Sequence, residues 1–109
     1  MTVEKVMVTP AEPTYEKIWT AFAAFVPDGG VLSDGFPVSL ISGKDELWLN
    51  LHAPRPLDDD RDARPLLVDP PTRIAWWTDV IIPDWNAEPG LLIMKLLADY
   101  LDGSLHDRA

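Results

Sequence analysis

The sequence predicts an α+β domain, with a mostly antiparallel sheet of about four strands and two helices in the order β-α-β-β-β-α. Three observations point there. Two segments place apolar residues at the helical period, and four extended segments alternate at the strand period. A Gly-containing turn separates two of the extended segments closely enough to suggest an antiparallel hairpin. The chain has 109 residues, 47% of them apolar, which suits a single domain with one hydrophobic core.

Val3 to Val8, VEKVMV, reads as the first strand. The stretch TPAEPTYEKIWTAFAAFVPDGG follows, with helix punctuation at both ends. Pro13 suits the first turn, where its missing N–H is not needed, and Thr14 or Glu12 can cap. Tyr15, Ile18, Trp19, Phe22, Phe25 and Val26 then form one broad apolar stripe. Pro27 and the Gly29–Gly30 pair end the helix. Asp34–Gly35 signals a turn, and Phe36 to Ser42 reads as a strand. Gly43–Lys44–Asp45 is a second turn, and Glu46 to Ala53 alternates after it, so the two strands make a hairpin.

Pro54 to Pro71, PRPLDDDRDARPLLVDPP, is an irregular Pro/Asp-rich loop with five prolines. Leu66, Leu67 and Val68 are its candidates for tacking back onto the core. Thr72 to Ile82 is the strand richest in β-branched and aromatic residues, and Pro83 ends it. The last helix spans Pro89 to Asp102, with Asn86 or Glu88 at its start and Gly103 just past its end. Its apolar arc is wide: Ile93, Met94, Leu96, Leu97, Tyr100 and Leu101. Lys95, Asp99 and Asp102 line the opposite side. Residues 104–109 are expected to fray.

Strand alternation sorts the tryptophans. In Thr72–Ile82, one face holds Ile74, Trp76, Thr78, Val80 and Ile82, and reads as the core face. The other holds Arg73, Ala75, Trp77, Asp79 and Ile81. In the hairpin, Leu47, Leu49, Leu51 and Ala53 face inward, while Glu46, Trp48, Asn50 and His52 face away. Trp48 and Trp77 therefore both project from mixed faces, and as neighbours they could touch across the ladder. Either a helix or the 54–71 loop covers them, or they form a partner surface, a setting in which Trp is enriched. On the second reading Asn50, His52 and Asp79 form the polar rim. Trp85 either extends the patch or staples the second helix to the sheet.

Charge and composition narrow the function. There are 18 acidic and 9 basic residues, for a net charge of −9. Such a surface disfavours direct nucleic-acid binding and attracts a basic protein patch. No run of about 18 apolar residues predicts a membrane span, and the start lacks a signal-peptide pattern. There are no cysteines, so disulfides and thiolate chemistry are excluded. A cytoplasmic location is expected.

Catalytic and metal motifs fail on inspection. Asp58, Asp60, Asp62 and Asp69 match some positions of a calcium loop, but Ala63 stands where Gly is required. His52 could pair with Asp79, and Ser39 or Ser42 could complete a triad, yet no G-x-S-x-G elbow is present. Zinc-ligand and phosphate-loop spacings are also missing. No cofactor, metal or catalytic residue is expected. A DNA-mimic role would need carboxylates spread over one face, and the densest cluster lies in a loop.

These observations favour a small non-enzymatic protein-binding module, of the inhibitor, immunity or adaptor kind, from a bacterium or phage. The expected contact residues are Trp48, Asn50, His52, Trp77, Asp79 and Trp85, meeting a protein with a basic surface patch. A self-associating structural subunit is the alternative, resting on the nearly all-round apolar second helix. A third reading, a ligand-binding or enzymatic domain, requires a deep cleft lined by Trp48, His52, Trp77 and Asp79.

Overall fold

In the computed structural model, residues 2–43, 47–58, 61, 63–68 and 74–108 are described. Asp60, Asp62 and Asp69 of the calcium-like pattern, and Glu46 and Arg73 of the outward faces, lie outside them. The elements are β1 (Thr2–Thr9), α1 (Tyr15–Phe25), β2 (Gly30–Val31), β3 (Val38–Ser42), β4 (Leu47–Leu51), β5 (Arg55–Pro56), β6 (Trp76–Pro83), α2 (Ala87–Tyr100) and β7 (Ser104–His106). Short 3-10 turns cover Arg64–Leu66 and Asp84–Asn86.

The α+β class holds, as do the two helices and the antiparallel sheet. The strand count does not: among the described residues the sheet has seven strands. Their order is β2-β3-β4-β6-β1-β7, with β5 also on β6. Every pairing is antiparallel. The added strands are β2, β5 and β7, each only two or three residues long. One of them corrects the expected frayed tail. Ser104–His106 pairs with β1, setting Val6 against His106 and Val8 against Ser104.

The long β1–β6 ladder is the spine, running from Thr2 opposite Pro83 to Thr9 opposite Trp76. β4 and β5 share the other edge of β6. Leu51 pairs with Val80, and Arg55 with Trp77. Four steps along one strand thus match three along the other, so the 52–54 segment carries one extra residue, as in a β-bulge.

Both helices pack on one face of the sheet. That core joins Ile18, Ala21 and Phe22 of α1 and Met94, Leu97 and Ala98 of α2 to Met7, Val38, Leu40, Leu49, Leu51, Val80 and Ile82. Thr14 caps α1, its hydroxyl accepting from the Lys17 amide at 3.2 Å. Helix α2 begins two residues before Pro89, which falls in the first turn where its amide is not required. Its end is a Schellman turn. Gly103 N–H donates to the Ala98 carbonyl at 2.8 Å, and Asp102 N–H to that of Asp99 at 3.0 Å. The left-handed residue is Asp102, with φ of 60°. Gly103 meets a different need, since a Cβ there would lie 2.2 Å from the Val8 carbonyl oxygen.

A second, smaller apolar cluster lies on the opposite, outer face. Val6, Val8, Ala63, Leu67, Ile74 and Trp77 form it, with Leu57 packed against it. Leu57, Ala63 and Leu67 of the Pro/Asp-rich segment close this cluster over β1 and β6. Leu67 is buried, whereas Leu66 and Val68 stay exposed. Ile74, expected on the helix side, belongs here because the strand begins only at Trp76 and the alternation does not extend back to it.

Candidate partner-binding site

Directly opposed residues of antiparallel strands share a face, so the register lays out the outer face row by row. One row is Gly30, Ile41 and Trp48. The next runs Ser39, Asn50, Ile81 and Glu4, and the Leu32 amide donates to the Ser39 carbonyl at 3.0 Å, which adds Leu32 to it. A third holds Asp79, Val6 and His106, with the His52 amide donating to the Asp79 carbonyl at 2.9 Å. The last joins Arg55, Trp77 and Val8. The loop cluster covers the Trp77 side of this face. The β2–β3–β4 side has no such cover among the described residues.

Trp77 is on the covered side, and its expected role as an exposed contact is corrected. Only 4% of it is exposed. Its indole Nε1–H donates to Asp79 Oδ1 at 3.0 Å. The guanidinium carbons of Arg55 and Arg108 lie 5.7 and 6.0 Å from its ring centre, within cation–π range. Both arginines also reach Asp79, Arg55 at 3.4 Å and Arg108 in closer contact. The Asp79 carboxylate is thus engaged by an indole and two guanidiniums, and these contacts hold the loop and the C-terminal segment over the sheet. Trp76, expected in the core, is only half-buried at the start of its strand.

Trp48 is on the open side, 39% exposed. Its Nε1–H donates to Asn50 Oδ1 at 3.4 Å, and the Ser39 hydroxyl donates to the same oxygen at 2.8 Å. Trp48 and Trp77 do not meet. The ladder that sets Asn50 opposite Ile81 puts Trp48 at the Pro83 end of β6, six residues beyond Trp77. Trp85 stands just past that end and is 65% exposed, so it does not staple α2 to the sheet. Asn86 does that instead. It is buried, and its Nδ2 donates to the Trp48 carbonyl at 3.2 Å.

His52 is exposed. It adjoins Asp79 as anticipated, but the carboxylate contacts are with Trp77, Arg55 and Arg108, and the triad is not assembled. Ser42 donates instead to Asp28 Oδ2 at 2.9 Å. A cavity of about 120 Å³ is lined by His52 and Asp79 with Glu4, Lys5, Val80, Ile81 and Arg108, without either tryptophan. Trp77 lines a separate one of about 240 Å³. The cleft that a small-ligand reading requires is not formed. Among the described residues no group of three His, Cys, Asp or Glu is placed to hold a metal ion. Among the described residues no helix is long and apolar enough to cross a membrane.

Sequence reasoning missed the ties between the loop and the C-terminal segment. Val68 N–H donates to the Asp107 carbonyl at 2.9 Å, and Leu67 bridges Arg108. His106 Nδ1 lies 2.9 Å from the Val68 carbonyl, and Nε2 lies 2.6 Å from the Ser104 hydroxyl. Because a carbonyl oxygen can only accept, Nδ1–H donates to Val68. The only available hint was the i, i+2 spacing of Ser104 and His106, which puts them on one face of a strand. No family model, curated protein or solved structure matches the chain.

Proposed function

We propose that the protein is a small acidic module that acts by binding another protein through the open side of its outer sheet face. The observation that carries this reading is Trp48. A large aromatic ring stands partly in water on a pleated, hydrogen-bonded platform, where its rotamer is held through Asn50. Leu32, Ile41 and Ile81 share that face, and Ser39, Asn50 and His52 supply hydrogen-bonding groups among them. A preorganised aromatic anchor with a polar surround is the arrangement typical of interface hot spots.

The net charge of −9 favours a partner with a basic patch and speeds the encounter at low salt. Trp77 and Asp79 then act from beneath, fixing the loop that borders the contact. An inhibitor, immunity-type protein or adaptor fits this description. Capture from the native host with wild-type protein and with Trp48→Ala tests it. The wild type should retain a protein that Trp48→Ala loses, with the two circular dichroism spectra and melting curves alike. Equal capture by wild type, Trp48→Ala and Ile41→Asp would refute the reading.

A further inference from the structure

We infer that α2 carries a second interaction surface, and that its occupant is another copy of this chain packed antiparallel about Leu92. Pro89, Leu92, Leu96 and Tyr100 of α2 follow one another at spacings of three, four and four residues, which is one line along a helix, and Trp85 stands in the 3-10 turn just before it. Pro89 is exposed, and so are the four large side chains, Leu92 to 60%. The buried side of the helix is Gly90, Met94, Leu97 and Ala98, and of the row Tyr100 also meets α1, edge-on to Phe25 with ring centres 6.0 Å apart. A row of large apolar groups of this length exceeds the scattered singles normal on a monomer surface.

The row is close to a palindrome, which selects a second copy as its occupant. Pro89 and Leu96 are placed symmetrically about a point just past Leu92, and Trp85, in the turn before the helix, lies as many residues before that point as Tyr100 lies after it. A two-fold axis there would bring Trp85 of one copy to Tyr100 of the other and Pro89 to Leu96, with Leu92 at the centre. Two-fold interfaces are self-complementary in this way.

Charge gives a second, independent match. Glu88 and Lys95 lie seven residues apart on one flank of the row, and neither has an ion-pair partner among the described residues. In an antiparallel two-fold pair each flank meets its own copy. Glu88 and Lys95 are symmetric about a point one residue before the apolar midpoint, so Glu88 of each copy comes beside Lys95 of the other. The pairing forms twice.

Sedimentation equilibrium of the full chain over roughly 1 to 100 µM tests the inference. Wild type should shift from monomer to dimer with concentration, and Leu92→Asp should remain monomeric. Glu88→Lys and Lys95→Glu should each weaken the dimer by about ten-fold at low salt, because two attractions become two repulsions. The double swap should restore it. A wild type that stays monomeric across the range would overturn the inference, as would single swaps without effect. Trp48→Ala should leave the dimer intact. Its dissociation would mean that the copies meet through the sheet face, which also overturns the helix surface. Because the partner-binding reading uses only the sheet face, the two can fail separately.

Discussion

Trp77 donates its indole N–H to Asp79, its neighbour two residues along the same face of β6, at 3.0 Å. The same carboxylate receives Arg55 and Arg108. One acidic side chain thereby connects a central strand, the segment that follows β4, and the last described residues of the chain. The ring beneath fills the loop cluster.

Trp77→Ala should therefore behave as a core deletion. Removing a buried aromatic side chain costs about 3 to 5 kcal/mol, a large share of the stability of a domain this size. Urea denaturation should show the unfolding free energy falling by that amount, at an unchanged m-value. A loss below about 1 kcal/mol would show that the loop contributes little.

Acrylamide quenching separates the indoles. Trp48→Phe and Trp85→Phe should each remove a readily quenched part of the fluorescence, because both rings are open to solvent. Trp77→Phe should remove a poorly quenched part. Trp48→Ala should change stability by no more than about 0.5 kcal/mol, as exposed sites do.

Gly90 and Gly103 should both resist substitution. A Cβ at Gly90 would lie 2.6 Å from Ile82 Cγ2 and 3.1 Å from Leu49 Cδ2. The intrusion at Gly103 is on backbone, which cannot turn aside. Gly90→Ala should cost about 1 to 3 kcal/mol through overpacking. Gly103→Ala should cost at least as much, read as a drop in melting temperature. An unchanged Gly103→Ala would mean that the β1–β7 approach is looser than the structure shows.

Thr78 offers the opposite sign. It is fully buried, and its hydroxyl has no hydrogen-bond partner among the described residues. An unsatisfied buried hydroxyl costs about 1 to 3 kcal/mol. Thr78→Val keeps the shape and should raise the melting temperature. A lower one would indicate that the hydroxyl is satisfied in solution.

The helices were legible because Tyr15, Ile18 and Phe22, or Met94, Leu97 and Leu101, recur at alternating spacings of three and four, a pattern that no strand shares. The hairpin was legible from Leu47, Leu49 and Leu51. What escaped were elements too short to show a period: Gly30–Val31, Arg55–Pro56 and Ser104–His106. The burial of Trp77 escaped for a related reason. Its cover comes from Leu57, Ala63 and Leu67, spaced irregularly among prolines and aspartates, so local pattern does not reveal which of them point inward. Trp48 was placed on the right face, but its neighbours were not. The 52–54 bulge and the antiparallel register carry it to the Pro83 end, away from Trp77 and toward Trp85.

Lys5 is bound to Asp107 across 102 residues of chain, and β1 is flanked by two strands that both come from the second half of the sequence. Contacts between such distant residues require large loops to close before any compensating gain, which slows folding. Refolding should accordingly take milliseconds to seconds. Until residues 76–106 have docked, the apolar side chains Val6, Met7 and Val8 remain uncovered, and the newly made chain is at its most aggregation-prone.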